Sequence, residues 1–123
     1  MFYQFLVIAA GGAIGSMLRY SVALTSLSKS FPTGTLVINI IGSFVIGILA
    51  AMFLKNAINA TLWRLLAVGI CGGFTTFSAF SLEAFNMLQH QFYTNFLLYI
   101  VASIAAGLLS VAAGFMLTTH FLK

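Results

Sequence analysis

Phe77 and Phe80 stand three residues apart in the run Gly72-Gly73-Phe74-Thr75-Thr76-Phe77-Ser78-Ala79-Phe80-Ser81. On a helix that spacing puts both rings on one face. An aromatic ring is positive at its edge and negative on its face, so two rings presented edge-on offer a small anion a narrow, dry constriction. Neutral donors accompany them along the chain: Asn39, Thr75, Thr76, Ser78, Ser81, Tyr99 and Ser103, with the basic Arg19. Glu83 is the single acid. A cation pathway wants rings of acidic residues, whereas hydroxyls and an amide replace the water around an anion. Each residue also has an ordinary use. Among 13 phenylalanines, two can simply pack; Asn39 can bond across helices, Ser103 can bond back to its own helix, Arg19 can anchor at the interface, and Glu83 can support the Thr and Ser cluster. Together they converge around one broken helix, which favours a pore.

That segment must be held by the membrane spans around it. The chain is 62% hydrophobic and only 5% charged, against about 25% charged residues in soluble domains. A helix needs about 20 apolar residues to cross the hydrocarbon core, and four stretches qualify: about 2–27, 35–54, 62–88 and 92–121. They form a single four-helix transmembrane domain with short connections, including turns over Ser28–Gly34 and Lys55–Ala60. This leaves no lobe for a soluble enzyme. The first span has no Lys or Arg ahead of its apolar run, so it reads as a retained span rather than a cleaved leader.

The third stretch is too long for a straight crossing. Its 27 residues from Leu62 to Leu88 would extend about 40 Å as an α-helix, and the core is about 30 Å. A break near 72–78 absorbs the excess and accounts for the paired glycines. Non-helical backbone at that depth must line a cavity or lie against protein, because lipid cannot satisfy its N–H and C=O groups. Channels and transporters commonly hold ions at such breaks. Elsewhere, Gly11 and Gly15 form a small-xxx-small pair, and Ala102, Ala106, Ser110 and Gly114 make a smooth stripe, both suited to close helix contact. Cys71 is the only cysteine, which excludes an intrachain disulfide and leaves a small packing residue.

The charge distribution bears on assembly. With net charge +4 from five scattered Lys and Arg, the chain has no nucleic-acid surface. Lys55, Arg64 and Lys123 fall on one side of the expected topology, and Arg19 and Lys29 on the other. Three against two is almost no positive-inside bias, so the chain is suited to insert both ways and pair with its inverted copy. One four-helix bundle has little interior for a conduit; two span-three breaks meeting at a symmetry axis would bring carbonyls together around a small hard cation.

Three motifs carry a family resemblance. Gly11-Gly12-x-x-Gly15-x-x-x-Arg19-Tyr20, Gly34-Thr35-Leu36-x-x-Asn39-x-x-Gly42, and the Gly72–Ser81 run continued to Glu83 closely resemble the Fluc (CrcB-type) fluoride channels, in order over all four spans. The resemblance implies an all-α, antiparallel, dual-topology homodimer in the plasma membrane, the inner membrane in a bacterium. It also implies two pores that release fluoride passively and selectively, protecting the cell from fluoride. By the same resemblance, Phe77 and Phe80 line the pore with Asn39 as amide donor; Ser78, Tyr99 and Ser103 form a polar track, and Arg19 borders a vestibule. Gly72 and Thr75 carbonyls would hold a structural sodium ion, with Thr76 and Glu83 as polar support. The chain departs from the pattern at Ala79, where relatives often carry Thr or Ser, and at Gly107, where some carry Ser.

Two other classes compete. A small multidrug-type inverted-dimer transporter relies on a carboxylate in its first span, and this first span has none. A structural membrane subunit explains the small-residue seams but not the broken helix with its donors and paired phenylalanines. An enzyme fits least, since the chain offers no nucleophile–base set or metal-ligand cluster.

Overall fold

A computed structural model describes residues 1–25 and 31–123. It contains helix α1 (Phe2–Thr25), helix α2 (Thr33–Leu54), a helical segment α3 (60–74), helix α4 (Phe77–Gln89) and helix α5 (Tyr93–Phe121). Segments α3 and α4 form one interrupted span, so four helical spans, Phe2–Thr25, Thr33–Leu54, Ala60–Gln89 and Tyr93–Phe121, are long and apolar enough to cross a membrane. The fold is all-helical with one bent span. Part of the turn expected over Ser28–Gly34 lies outside the described residues. The rest differs from expectation, because α2 begins at Thr33 and takes Gly34 into its first turn. Pro32 flanks that start, where a proline's missing N–H costs nothing.

The order of contacts fixes the direction of each span. A Cβ added to Gly11 would meet the Leu65 carbonyl oxygen and Gly69 Cα, while one on Gly15 would meet Ile70 and Phe74. Contacts therefore advance together, and α1 runs parallel to α3. On α2, Asn39 bonds Thr76 and Thr35 bonds Glu83, so α2 runs against the interrupted span. Ser43 on α2 lies against Gly107 on α5, and one turn further along both helices Gly47 lies against the backbone at Val111 and Phe115, so α2 and α5 are parallel. The result is an up-down-up-down bundle. At both seams, backbone rests on backbone because a glycine is present, and van der Waals contact is what holds helices together where lipid removes the hydrophobic drive between them.

Segment α3 carries a feature the sequence reading lacked. Arg64–Cys71 is wound as a π-helix, with the Gly72 N–H reaching back to the Ala67 carbonyl. Such wide turns are rare and concentrate at functional sites. This one lies where α1 presses closest, at Gly11 and Gly15, and it leads directly into the interruption.

Both ends of the interrupted span are joined to their neighbours by tight helix stops. Asn56 and Gln91 adopt φ of 56° and 60°. Around them the Ala57 N–H bonds the Met52 carbonyl and the Phe92 N–H bonds the Met87 carbonyl, the six-to-one bond of a Schellman motif. Asparagine tolerates the left-handed region, but glutamine does not favour it. Gln91→Gly is therefore expected to stabilise the protein by about 1 kcal/mol, read as a higher midpoint in thermal unfolding in detergent; no rise, or a fall, contradicts the capping role. Outward from the seams, Phe2, Leu108, Leu109 and Met116 are exposed, an apolar exterior suited to lipid or to another helix surface.

Candidate functional site

The interruption consists of two residues. Thr75 has φ −78° and ψ 157°, and Thr76 has φ −149° and ψ 121°. Both are extended, so the helical ladder is cut between Phe74 and Phe77. In a continuous α-helix the Thr76 N–H would bond the Gly72 carbonyl, the Phe77 N–H the Gly73 carbonyl, and the Ala79 N–H the Thr75 carbonyl. Side chains replace these bonds. Asn39 Oδ1 accepts from the Thr76 N–H at 2.9 Å while Asn39 Nδ2 donates to the Thr76 carbonyl at 3.0 Å. Arg19 Nε donates to the Gly73 carbonyl at 3.0 Å. Thr76 Oγ1 caps α4 by accepting from the Ala79 N–H at 3.1 Å. Thr75 turns its hydroxyl back to the Cys71 carbonyl at 2.8 Å, and its methyl lies over Gly42.

The two helix ends at this break carry opposite partial charge. The C-terminus of α3 presents carbonyls, which favour cations, and the N-terminus of α4 presents N–H groups, which favour anions. Arg19 meets the first of these. The Gly72 carbonyl loses its helical partner to Asn39, and the Thr75 carbonyl belongs to the extended segment. Both are neutral, hard oxygen donors of the kind an alkali cation takes.

Phe77 and Phe80, at the start of α4, have ring centroids 5.7 Å apart and planes inclined at 43°. Phe77 is 79% exposed on the single chain. Asn39, Phe77, Phe80 and Ser103 line one open groove of about 400 Å³ together with Gly72, Thr75 and Thr76. Arg19 and Glu83 line a second hollow of about 280 Å³ with Thr35, Thr76 and Ala79. Thr76 borders both, so the break is the partition between them.

Two residues sit differently. Tyr99 is fully buried behind the groove, with its ring 5.1 Å from that of Phe80. Its hydroxyl donates to Glu83 Oε2 at 2.6 Å, and Thr35 donates to Glu83 Oε1 at 2.7 Å. The sole carboxylate thus has both oxygens occupied by hydroxyls from α2 and α5, not by the Thr and Ser cluster beside it. Ser78 is exposed, 3.3 Å from the Thr76 hydroxyl. Ser103 does not bond back to its own helix: its Oγ is buried and has no hydrogen-bond partner among the described residues. Asn39 does bond across helices, and it faces the groove as well. Thr35 and Ser43 were absent from the sequence-level candidates. They lie on the helix turns immediately before and after Asn39, a four-residue spacing that marks a shared face.

Residues 6–115 match the family described as CrcB-like protein, Camphor Resistance (CrcB). The chain belongs to this CrcB family. Its curated relatives include the "Fluoride-specific ion channel FluC" of Methylobacterium sp. (strain 4-46), 43% identical over 119 residues, which are 94% of this chain and 96% of the relative. The protein of the same name from Rhizobium meliloti (strain 1021) is 46% identical over 116 residues, covering 91% and 93% of the two chains. That of Leptospira interrogans is 44% identical over 120 residues, covering 94% of each. The matched residues include both seams and the interruption. With its four apolar spans, the chain is a multi-pass membrane protein.

Proposed function

We propose that this chain is a fluoride-selective passive channel, built as an antiparallel homodimer, that lets fluoride leave the cell. The observation that carries the proposal is the groove that brings Asn39, Phe77, Phe80 and Ser103 together at the helix break. Phe77 and Phe80 offer ring edges to the ion. The Asn39 amide, the Ser103 hydroxyl and the N-terminal N–H groups of α4 replace its water. Tyr99 supports Phe80 from behind and holds Glu83, so the carboxylate is tied to two donors and kept from opposing the anion. Arg19 borders the second hollow, where a positive charge raises local anion concentration. Ser78 extends the donor set outside Thr76.

The exposed groove needs a cover, and a second, inverted copy supplies one: 79% exposure of Phe77 on the single chain fits a residue that another subunit meets. Gly72 and Thr75 would hold a structural sodium ion between the two copies, and the ion would supply positive charge that binds the two carbonyl-rich helix ends. Fluoride exit needs no energy input beyond the membrane potential. Neutral hydrogen fluoride enters from acidic surroundings and dissociates inside, and a negative interior drives the anion out. As a pore, the protein is not an enzyme.

Cells rendered fluoride-sensitive by loss of their own exit route test both parts. The chain as it stands is expected to restore growth in fluoride. A version carrying added Lys on one side only, confirmed to insert in a single orientation, is expected to fail alone and to succeed when co-expressed with an oppositely biased version. No rescue by the unmodified chain contradicts the fluoride reading; full rescue by one biased version contradicts the inverted pair.

A further inference from the structure

We infer that Ser43, on α2, is an ion-contacting and rate-determining residue of the pore, taking the place of a side chain that α5 lacks at Gly107. The inference rests on the fluoride-channel reading and names a residue within that pathway. Ser43 lines the groove with Asn39, Phe77, Phe80, Ser103 and Gly107. It follows Asn39 by four residues, so the two share a face of α2 about 6 Å apart along the axis. Across the groove, Ser103 precedes Gly107 by the same step on α5. Because α2 and α5 run parallel, the pairs lie in register, Asn39 with Ser103 and then Ser43 with Gly107.

The second rung is asymmetric. At Gly107 α5 contributes no side chain, and a Cβ built there would lie 3.7 Å from Ser43 Oγ. The nearest hydroxyl to that space is thus the one on α2. On the first rung, Ser103 Oγ is buried without a partner among the described residues, and a buried polar group in that state is expensive unless something visits it. An anion handed on from Asn39 and Ser103 meets Ser43 as its next donor. Without that hydroxyl it would cross a stretch lined by Ile46, Ile104 and Ala67, where nothing compensates the loss of its water.

The geometry gives a reciprocal test. In liposomes holding purified dimers, Ser43→Ala is expected to slow fluoride efflux about tenfold or more, the scale of one lost hydrogen bond to a charge. Adding Gly107→Ser to Ser43→Ala returns a hydroxyl to the same space from the opposite helix and is expected to recover most of that loss. A purely structural role for Ser43 predicts no such rescue. Ser43→Thr and Ser43→Val, nearly equal in shape, form a second pair should the alanine variant fail to assemble: the threonine variant is expected to conduct at least about tenfold faster. Wild-type rates from Ser43→Ala, a double variant no faster than Ser43→Ala, or equal rates from the Thr and Val variants would overturn the inference while the unmodified protein still conducts. Absence of fluoride flux in the unmodified protein would instead remove the channel reading on which it rests.

Discussion

Replacing Phe80 with isoleucine is expected to slow fluoride efflux by about thirtyfold and leave the protein folded. Isoleucine keeps apolar bulk beside Tyr99 but has no polarised edge. A desolvated cation over a ring face gains about 2 kcal/mol; an anion at the positive edge of the same quadrupole is expected to gain on that scale, which corresponds to roughly thirtyfold. Phe77→Ile is expected to act in the same direction. Its ring is exposed on the single chain, so its loss disturbs little within one bundle and the flux effect should exceed any change in thermal midpoint. Phe80 touches both Phe77 and Tyr99, and its replacement should lower the midpoint modestly as well. Unchanged flux through both variants would reduce the phenylalanines to packing.

Asn39→Asp is expected to have the larger effect, with flux falling by about a thousandfold. Asn39 does two things with one amide: it closes the break by bonding both polar groups of Thr76, and it faces the groove. Aspartate preserves the acceptor for the Thr76 N–H but sets a second oxygen against the Thr76 carbonyl. It also places negative charge in the anion's path. Two like charges about 4 Å apart repel by about 4 kcal/mol at an effective dielectric of 20, which is about a thousandfold in occupancy. The comparison with Asn39→Ala separates the two roles, because alanine opens the break without adding charge and should retain more flux than aspartate. Fluoride flux in Asn39→Asp equal to that of the unmodified protein would contradict a role for Asn39 in the pathway.

The sequence made the break legible through composition alone: paired glycines and four hydroxyl residues are poor material for a continuous helix, and the span is overlong. Thr75 and Thr76 adopt extended backbone within that window. Spacing also placed Phe77 and Phe80 on one face, where the structure has their rings neighbouring. What spacing did not convey were bonds between distant elements. Arg19 reaches a backbone carbonyl 54 residues away, and Glu83 takes its donors from Thr35 and Tyr99; no local pattern specifies such partners. The π-helical turn at Arg64–Cys71 was hidden for a related reason, since nothing in Arg64–Cys71 taken alone departs from an ordinary apolar helix, and its close neighbour is the glycine seam of α1. Ser43 was different: its step of four from Asn39 was visible, but that Gly107 faces it was not.

Fluoride efflux from liposomes containing the purified protein, followed with a fluoride electrode and started by a potassium ionophore, decides whether the chain is a selective pore when chloride efflux is measured alongside. The groove of donors and ring edges, in a chain with one tethered acid, predicts rapid fluoride loss and negligible chloride loss. Intact, folded protein that releases neither ion, or that releases chloride as readily as fluoride, would contradict a fluoride-selective pore.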